Sequence, residues 1–447
     1  MVTKMDTQKI KSDLPTRISY VILGYSNFAR GQRMKGILWF LGELLYILFM
    51  IFLGIPALGG LITLGENEQG WVYDEALGIN VRTEGDNSML LLLYGVAVIM
   101  ITAAFVFYYL AAQKSAREAQ AEEERGRRLP GFREDMHSLL DKKFYITLLA
   151  IPVIGVVLFT ILPLVYMVLI SFTNYDSDHQ PPGKLFDWVG FDNFSSMLFE
   201  GGTLSRSFFP ILAWTLVWAV LATATSYIFG VLTAILINKK GIKFKPLWRT
   251  ILITTIAIPQ FVSLLIMRNM LNDYGAINEL LLKFGIISER IGFLSDSTLA
   301  KITVLVVNLW VGIPYTMLIT TGILLNIPQE QYEAATVDGA SKFTMFRKIT
   351  LPQILFVTTP YLITQFIGNI NNFNIIYLLT DGGPLNSSYY YAGSTDLLVT
   401  WLYKLTANQR DYNIASTIGI LVFIISAVIS LLTYTRSKSY KEEGGYQ

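Results

Sequence analysis

Three side-chain amides, Gln365, Asn369 and Asn372, recur at intervals of four and three in an otherwise apolar stretch, the spacing of one helix face. Asn371 and Asn374 fall on neighbouring faces. An amide in an apolar medium costs free energy unless it is hydrogen-bonded. Such a cluster faces either a polar cavity or another helix, and the pattern alone leaves both open. A second stretch, IPQEQYEAATVDGASKFTMFRKITLPQI (327–354), mixes charge with apolar surface. Pro328 suits a helix start, the residues from Gln329 to Val337 are good helix formers, and Gly339 breaks or bends the helix. Ser341 is placed to cap a second helix running to Lys348, which Pro352 is expected to stop. Glu333, Asp338, Arg347 and Lys348 beside Ala334, Ala335, Val337, Phe343, Phe346 and Ile349 give the surface of a partner-docking element.

Catalytic chemistry has little to work with. The chain has no cysteine, which removes disulfides, zinc thiolate sites and cysteine nucleophiles. His137 and His179 lie far apart in polar stretches and make a poor metal site. Gly183-Lys184 lacks the upstream glycine and the following Ser or Thr of a phosphate-binding loop. The chain reads as one that binds and transmits, not as an enzyme, and no cofactor is expected in it.

The elements that must position these residues are membrane spans. Of 447 residues, 53% are apolar and 15% charged, against roughly a quarter charged in a soluble protein. The charges gather between long apolar runs, so the lipid bilayer is the fitting solvent, and nothing points to nucleic acid as a partner. Eight segments are long enough to span: 36–60, 89–112, 144–172, 208–237, 250–271, 301–325, 353–379 and 413–434. Residues 1–35 hold seven Lys and Arg and residues 113–143 hold eight, whereas the loop 61–88 has only Arg82. The alternation continues along the chain and puts both termini in the cytoplasm. No cleavable leader is apparent, since the first apolar run begins near Gly36 after polar and basic residues.

The expected organisation is a cytoplasmic N-terminal segment (1–35), two N-terminal transmembrane helices (36–112), a cytoplasmic connector (113–143), a six-helix core (144–435) and a cytoplasmic tail (436–447). Ile18–Gln32, with Val21, Ile22, Tyr25 and Phe28, reads as an interfacial helix. Glu43 inside the first span is expected to be hydrogen-bonded in packing, and Pro259 and Pro314 are expected to bend spans. The fold class is therefore all-α, an integral membrane protein of eight transmembrane helices.

The loop 327–352 resembles the EAA loop of binding-protein-dependent ABC importers: Glu-Ala-Ala, three residues, Gly, nine residues, Ile, one residue, Leu-Pro. Glu333, Ala334, Ala335, Gly339, Ile349, Leu351 and Pro352 match each element. The resemblance implies that this loop couples to a separate ATPase subunit through Glu333, Ala334, Ala335, Asp338 and Gly339. ATP and Mg then belong to two partner ATPase subunits.

A wider resemblance, to maltose/maltodextrin permeases of the MalF type, rests on PLVYMVLISFTNYD (163–176), WVGFDNF (188–194), LLIMRNMLNDYGAIN (264–278), NLWVGIPYTML (308–318), NNFNIIYLLTDGGP (371–384) and STDLLVTWLYKL (394–405). It implies a second homologous permease of the MalG type, an extracellular sugar-binding protein and a maltodextrin substrate. The alternative is a permease for another oligosaccharide, an α-galactoside or the substrates of a multiple-sugar importer, with an ion-coupled secondary carrier as the more distant one. The family's two sugar-contacting asparagines fall on Asn369 and Asn372, and its other lining positions on Val311, Gly312 and Tyr315. Two positions depart: a phenylalanine is Gly368 here and a serine is Gln365. The loop 173–207 is also short where the Gram-negative permease carries a large external domain. That suits a Gram-positive-type cell membrane with a lipoprotein binding protein.

Overall fold

The computed structural model describes residues 11–239 and 241–436. The expected cytoplasmic tail, beyond residue 436, and the first ten residues of the N-terminal segment lie outside the described residues. The chain packs as two units, Met1–Val189 and Gly190–Gln447.

The first unit opens with two short helices, α1 (Leu14–Ile18) and α2 (Tyr25–Ala29), where the sequence suggested one interfacial helix. Gly24, with φ +79°, separates them from each other. Asp13 caps α1, accepting from the Thr16 backbone N–H at 3.0 Å. Partial burial works against ionisation of Asp13, but hydrogen bonds from Thr16 and Arg30 hold it below the usual carboxylate range. The long helices α3 (Arg33–Thr63) and α4 (Ser88–Glu124) follow, joined by a hairpin of β1 (Trp71–Asp74) and β2 (Ile79–Arg82). Glu43 on α3 accepts the Leu23 backbone N–H at 2.8 Å, the packing role expected of it. Tyr46 and Phe105 stack between α3 and α4 at 3.7 Å. A short α5 (Phe132–Leu140) then leads into α6 (Phe144–Ile170).

The second unit comprises α7 (Asp192–Leu198), α8 (Thr203–Asn238), α9 (Lys245–Ala257), α10 (Gln260–Leu271), α11 (Ala276–Lys283), α12 (Ser297–Asn326), α13 (Gln329–Val337), α14 (342–370), α15 (Phe373–Thr380), α16 (Leu398–Lys404) and α17 (Tyr412–Arg436). At its centre, α8 buries a stripe of small residues, among them Ala219, Ala222, Ser226, Gly230 and Ala234. Small side chains let helix backbones approach closely where lipid supplies no hydrophobic drive between helices. Trp218, fully buried, anchors one core with Leu264, Val304 and Ile375, and Trp401 anchors another with Phe208 and Ile418.

Among the described residues, six helices are individually long and apolar enough to cross a membrane. The fifth expected span is the pair α9 and α10, bent by 91° at Ile258–Pro259, so the bend expected at Pro259 is present. The seventh, 353–379, is divided into α14 and α15 at Asn371–Asn372. The count of eight is thus approximate: two of the eight are broken.

Pro352 does not stop a helix. A wide, π-helical turn (Phe346–Thr350) precedes it, in which Leu351 N–H donates five residues back to the Phe346 carbonyl. Widening the turn accommodates the next residue, which has no N–H to give. The same arrangement precedes Pro56 and Pro163: Ile55 donates to Met50 O and Leu162 to Val157 O. These prolines sit within long helices where sequence rules place a boundary.

Candidate functional site

The two broken spans meet. The break of the fifth ends in Pro259 and Gln260, and that of the seventh in Asn371 and Asn372. Asn374 on the first turn of α15 donates to Gln260 Oε1 at 3.3 Å, joining one break to the other. Beside this junction lies a cavity of about 770 Å³ in the second unit. All seven residues singled out for ligand contact, Val311, Gly312, Tyr315, Gln365, Gly368, Asn369 and Asn372, line it.

The amides do not share one helix face as their spacing suggested. Gln365 and Asn369 lie on α14, but Asn372 lies past its end, with φ −76° and ψ 88°, and caps α15 by accepting Ile375 N–H at 3.4 Å. Asn372 Nδ2 donates to Asn369 Oδ1 at 3.2 Å, and the buried Asn369 donates in turn to Thr223 Oγ1 at 2.9 Å. The Asn369 carbonyl accepts the indole N–H of Trp218 at 3.1 Å. Packing and cavity-lining, the two readings open from pattern, are both true of these residues. Each amide nitrogen still has a second hydrogen beyond these bonds.

The opposite wall comes from α12. Tyr315 is 53% exposed and stacks on Tyr361 with ring centroids 6.0 Å apart, leaving an aromatic surface on the cavity. At Gly312 an added Cβ would stand 2.3 Å from Ser226 Oγ, so the absent side chain is what lets α12 lie against α8. At Gly368 an added Cβ would meet nothing within 4 Å. Sequence reasoning missed Tyr361, Asn308, Gln260 and Ser263, which also line the cavity. Tyr361 stands four residues before Gln365 and Asn308 four before Gly312, so helical spacing extended by one turn reaches both. Gln260 and Ser263 needed the bend at Pro259. Among the described residues none that lines the cavity is charged: the wall is amide, hydroxyl, aromatic and aliphatic.

The segment 327–354 is built as its spacing requires. Helix α13 ends in a Schellman motif. Ala340 N–H donates to Ala335 O at 2.9 Å and Gly339 N–H to Thr336 O at 3.1 Å, with Gly339 at φ +75°. Only glycine takes that conformation without strain. Ser341 caps the start of α14, accepting Thr344 N–H at 3.2 Å. Glu333, Ala334, Asp338 and Gly339 are exposed and Ala335 is half-buried. The exposed face also offers Val337 (88%) and Phe343 (70%), apolar groups in search of cover.

Two bonds fasten α13 to the base of α14: Tyr332 Oη to Thr350 Oγ1 at 2.8 Å, and Gln353 Nε2 to Gln331 Oε1 at 2.9 Å. From Gln353 the same helix runs about 24 Å to Asn369 at 1.5 Å per residue. One helix therefore has α13 fastened at one end and carries the cavity amide Asn369 near the other.

Residues 226–437 match the model of the family described as binding-protein-dependent transport system inner membrane component. The chain is 35% identical over 427 residues to the galactooligosaccharides transport system permease protein GanP of Bacillus subtilis (strain 168), covering 95% of this chain and 97% of that protein. It is 34% identical to the maltodextrin transport system permease protein MdxF of the same organism, covering 95% of each. Against the maltose/maltodextrin transport system permease protein MalF of Klebsiella aerogenes it is 37% identical over 56% of this chain and 49% of that protein. Among solved structures, a bacterial ABC transporter involved in the import of the acidic polysaccharide alginate shares the fold, with a TM-score of 0.54 at 23% identity, covering 68% of this chain and 97% of that one.

Proposed function

This chain belongs to the sugar permeases of binding-protein-dependent ABC importers, and from that premise we propose that it carries neutral oligosaccharides, maltodextrins in the first instance, through the cavity beside Asn369 and Asn372. The observation that carries the reading is the uncharged wall: amides and hydroxyls to bond sugar hydroxyls, and Tyr315 to lie against the apolar face of a pyranose. A uronate polymer would need cations there, and none lines the site among the described residues. The similarity to GanP favours a galactooligosaccharide as the second reading.

In this proposal the chain pairs with a second homologous permease of the MalG type, two ATPase subunits that hold ATP and Mg, and an extracellular sugar-binding protein. ATP binding closes the ATPase pair, Glu333–Gly339 receives that motion, and α14 carries it to the amides. The cavity then exchanges its exposure between the two sides of the membrane. Both termini are cytoplasmic on the distribution of Lys and Arg. The short segment 173–207 fits a Gram-positive-type cell membrane whose binding protein is a lipoprotein.

Energised uptake of labelled maltotetraose, in cells with and without this gene and lacking any redundant system, tests the substrate. Loss on deletion, without competition by galactotetraose or raffinose, supports the maltodextrin reading. Uptake of galactotetraose alone replaces it with the second reading.

A further inference from the structure

A cavity of about 540 Å³ in the first unit lies at the start of α3, remote in sequence from the sugar site. Its wall carries Arg30, Arg33, Lys35, Arg127 and Arg128, with Glu123 as the one acid among the described residues. Internal pairs account for three of the cations. Arg30 is buried between Asp13 and Glu123, Lys35 meets Asp135 at 2.9 Å, and Arg127 reaches Glu122 at 3.5 Å. Arg33 and Arg128 are exposed and have no ion pair among the described residues. The 31-residue helix α3 begins here without a side-chain cap on Gln32, so its first-turn N–H groups and the positive end of its dipole add to the field.

One turn further along α3 the surface changes character. Gly36, Ile37 and Phe40 join Ile22, Tyr25 and Phe28 around an apolar groove of about 250 Å³. Ile37, Phe40 and Phe28 are each almost half exposed. A basic pocket followed by an apolar groove, at the end of a membrane-spanning helix, is complementary to an amphiphile with an anionic head and a hydrocarbon tail. A free phosphate would satisfy the cations and leave the groove uncovered. We infer that this is a binding site for an anionic phospholipid, the headgroup phosphate held by Arg33 and Arg128 and an acyl chain lying over Ile37 and Phe40. Such a lipid ties the segment before α3 to the loop after α4, which face each other across the pocket.

The test counts lipids retained by the purified full-length protein in native mass spectrometry, with phosphatidylglycerol and phosphatidylcholine added at equal concentration. Phosphatidylglycerol is expected to be retained preferentially. Arg33→Gln with Arg128→Gln should weaken it by roughly fivefold for each charge removed, while Arg33→Lys with Arg128→Lys keeps most of the preference. Equal retention of the two lipids overturns the proposal, as does a double glutamine variant that holds phosphatidylglycerol unchanged. Displacement by glycerol phosphate as readily as by dihexanoyl-phosphatidylglycerol would assign the pocket to a soluble phosphate and overturn the lipid. Should the glutamine variant fail to fold, the comparison of lipids and competitors on the unaltered protein still decides.

Discussion

The side-chain amide of Asn372 donates to Asn369 Oδ1 at 3.2 Å across the break between α14 and α15. Asn372 also caps α15 through its own oxygen, so its two ends do different work. Asn372→Ala removes both, at a capping cost of about 1 kcal/mol, and is expected to lower sugar uptake roughly tenfold, the loss of about one sugar hydrogen bond, while the complex still assembles. Asn372→Asp keeps the capping oxygen and should restore stability without restoring uptake. Uptake in cells and co-purification of the partner subunits separate the two. Failure of the complex to form in both variants would make Asn372 a packing residue only.

The two glycines on the cavity wall should respond in opposite ways. Gly312→Ala drives a Cβ to 2.3 Å from Ser226 Oγ and should destabilise the packing of α12 on α8 by about 1–3 kcal/mol. Its readout is a lower thermal midpoint of the purified protein. Gly368→Phe meets open space at its Cβ, so the midpoint should stay and the cavity should shrink. Uptake of longer oligosaccharides would fall before that of the disaccharide. Equal losses for every chain length would count against Gly368 facing the substrate.

If α13 docks the ATPase as proposed, substitutions on it should separate binding from transmission. Glu333→Lys changes an exposed group and is expected to abolish co-purification of the ATPase subunits. Tyr332→Phe removes the 2.8 Å bond to Thr350 and loosens α13 from α14, leaving the docking face intact. ATPase subunits should still co-purify and hydrolyse ATP, with fewer sugars moved per ATP. Unchanged coupling in Tyr332→Phe would place the transmission elsewhere.

Asp396 gives a pH dependence. Burial pushes its carboxyl above the usual range even though Lys404 Nζ lies 2.8 Å away and Thr400 and Gly393 also donate to it. The folded chain therefore binds this proton more tightly than the unfolded chain. The associated stability is complete below the ordinary carboxylate value and is lost as pH rises through the raised one. Lys404→Met leaves the carboxylate unpaired, so thermal midpoints measured from pH 4 to pH 7 should fall more steeply than in the unaltered protein. Asp396→Asn should flatten the slope.

The pattern of residue types made much of this legible. Gln365 and Asn369 stand out because amides are rare in apolar runs, and Gly339 because a helix ending on it has a defined hydrogen-bond pattern. The break at Asn371–Asn372 was hidden, since spacings of four and three assume an unbroken helix and Asn372 leaves it to cap the next. Pro352 misled for a related reason: a π-helical turn absorbs a missing N–H that local rules treat as an end. Gln260 became visible only when the bend at Pro259 brought it beside Asn374, a contact 114 residues apart in sequence.

The chain has no cysteine, so Gly368→Cys introduces a single thiol on the cavity wall, and its alkylation rate measures whether sugar sits there. In the assembled transporter held with its ATPases closed, maltotetraose is expected to slow alkylation of that thiol, and Asn372→Ala to remove the protection. A rate indifferent to every sugar that the same variant transports would contradict the placement of the substrate beside Asn369 and Asn372.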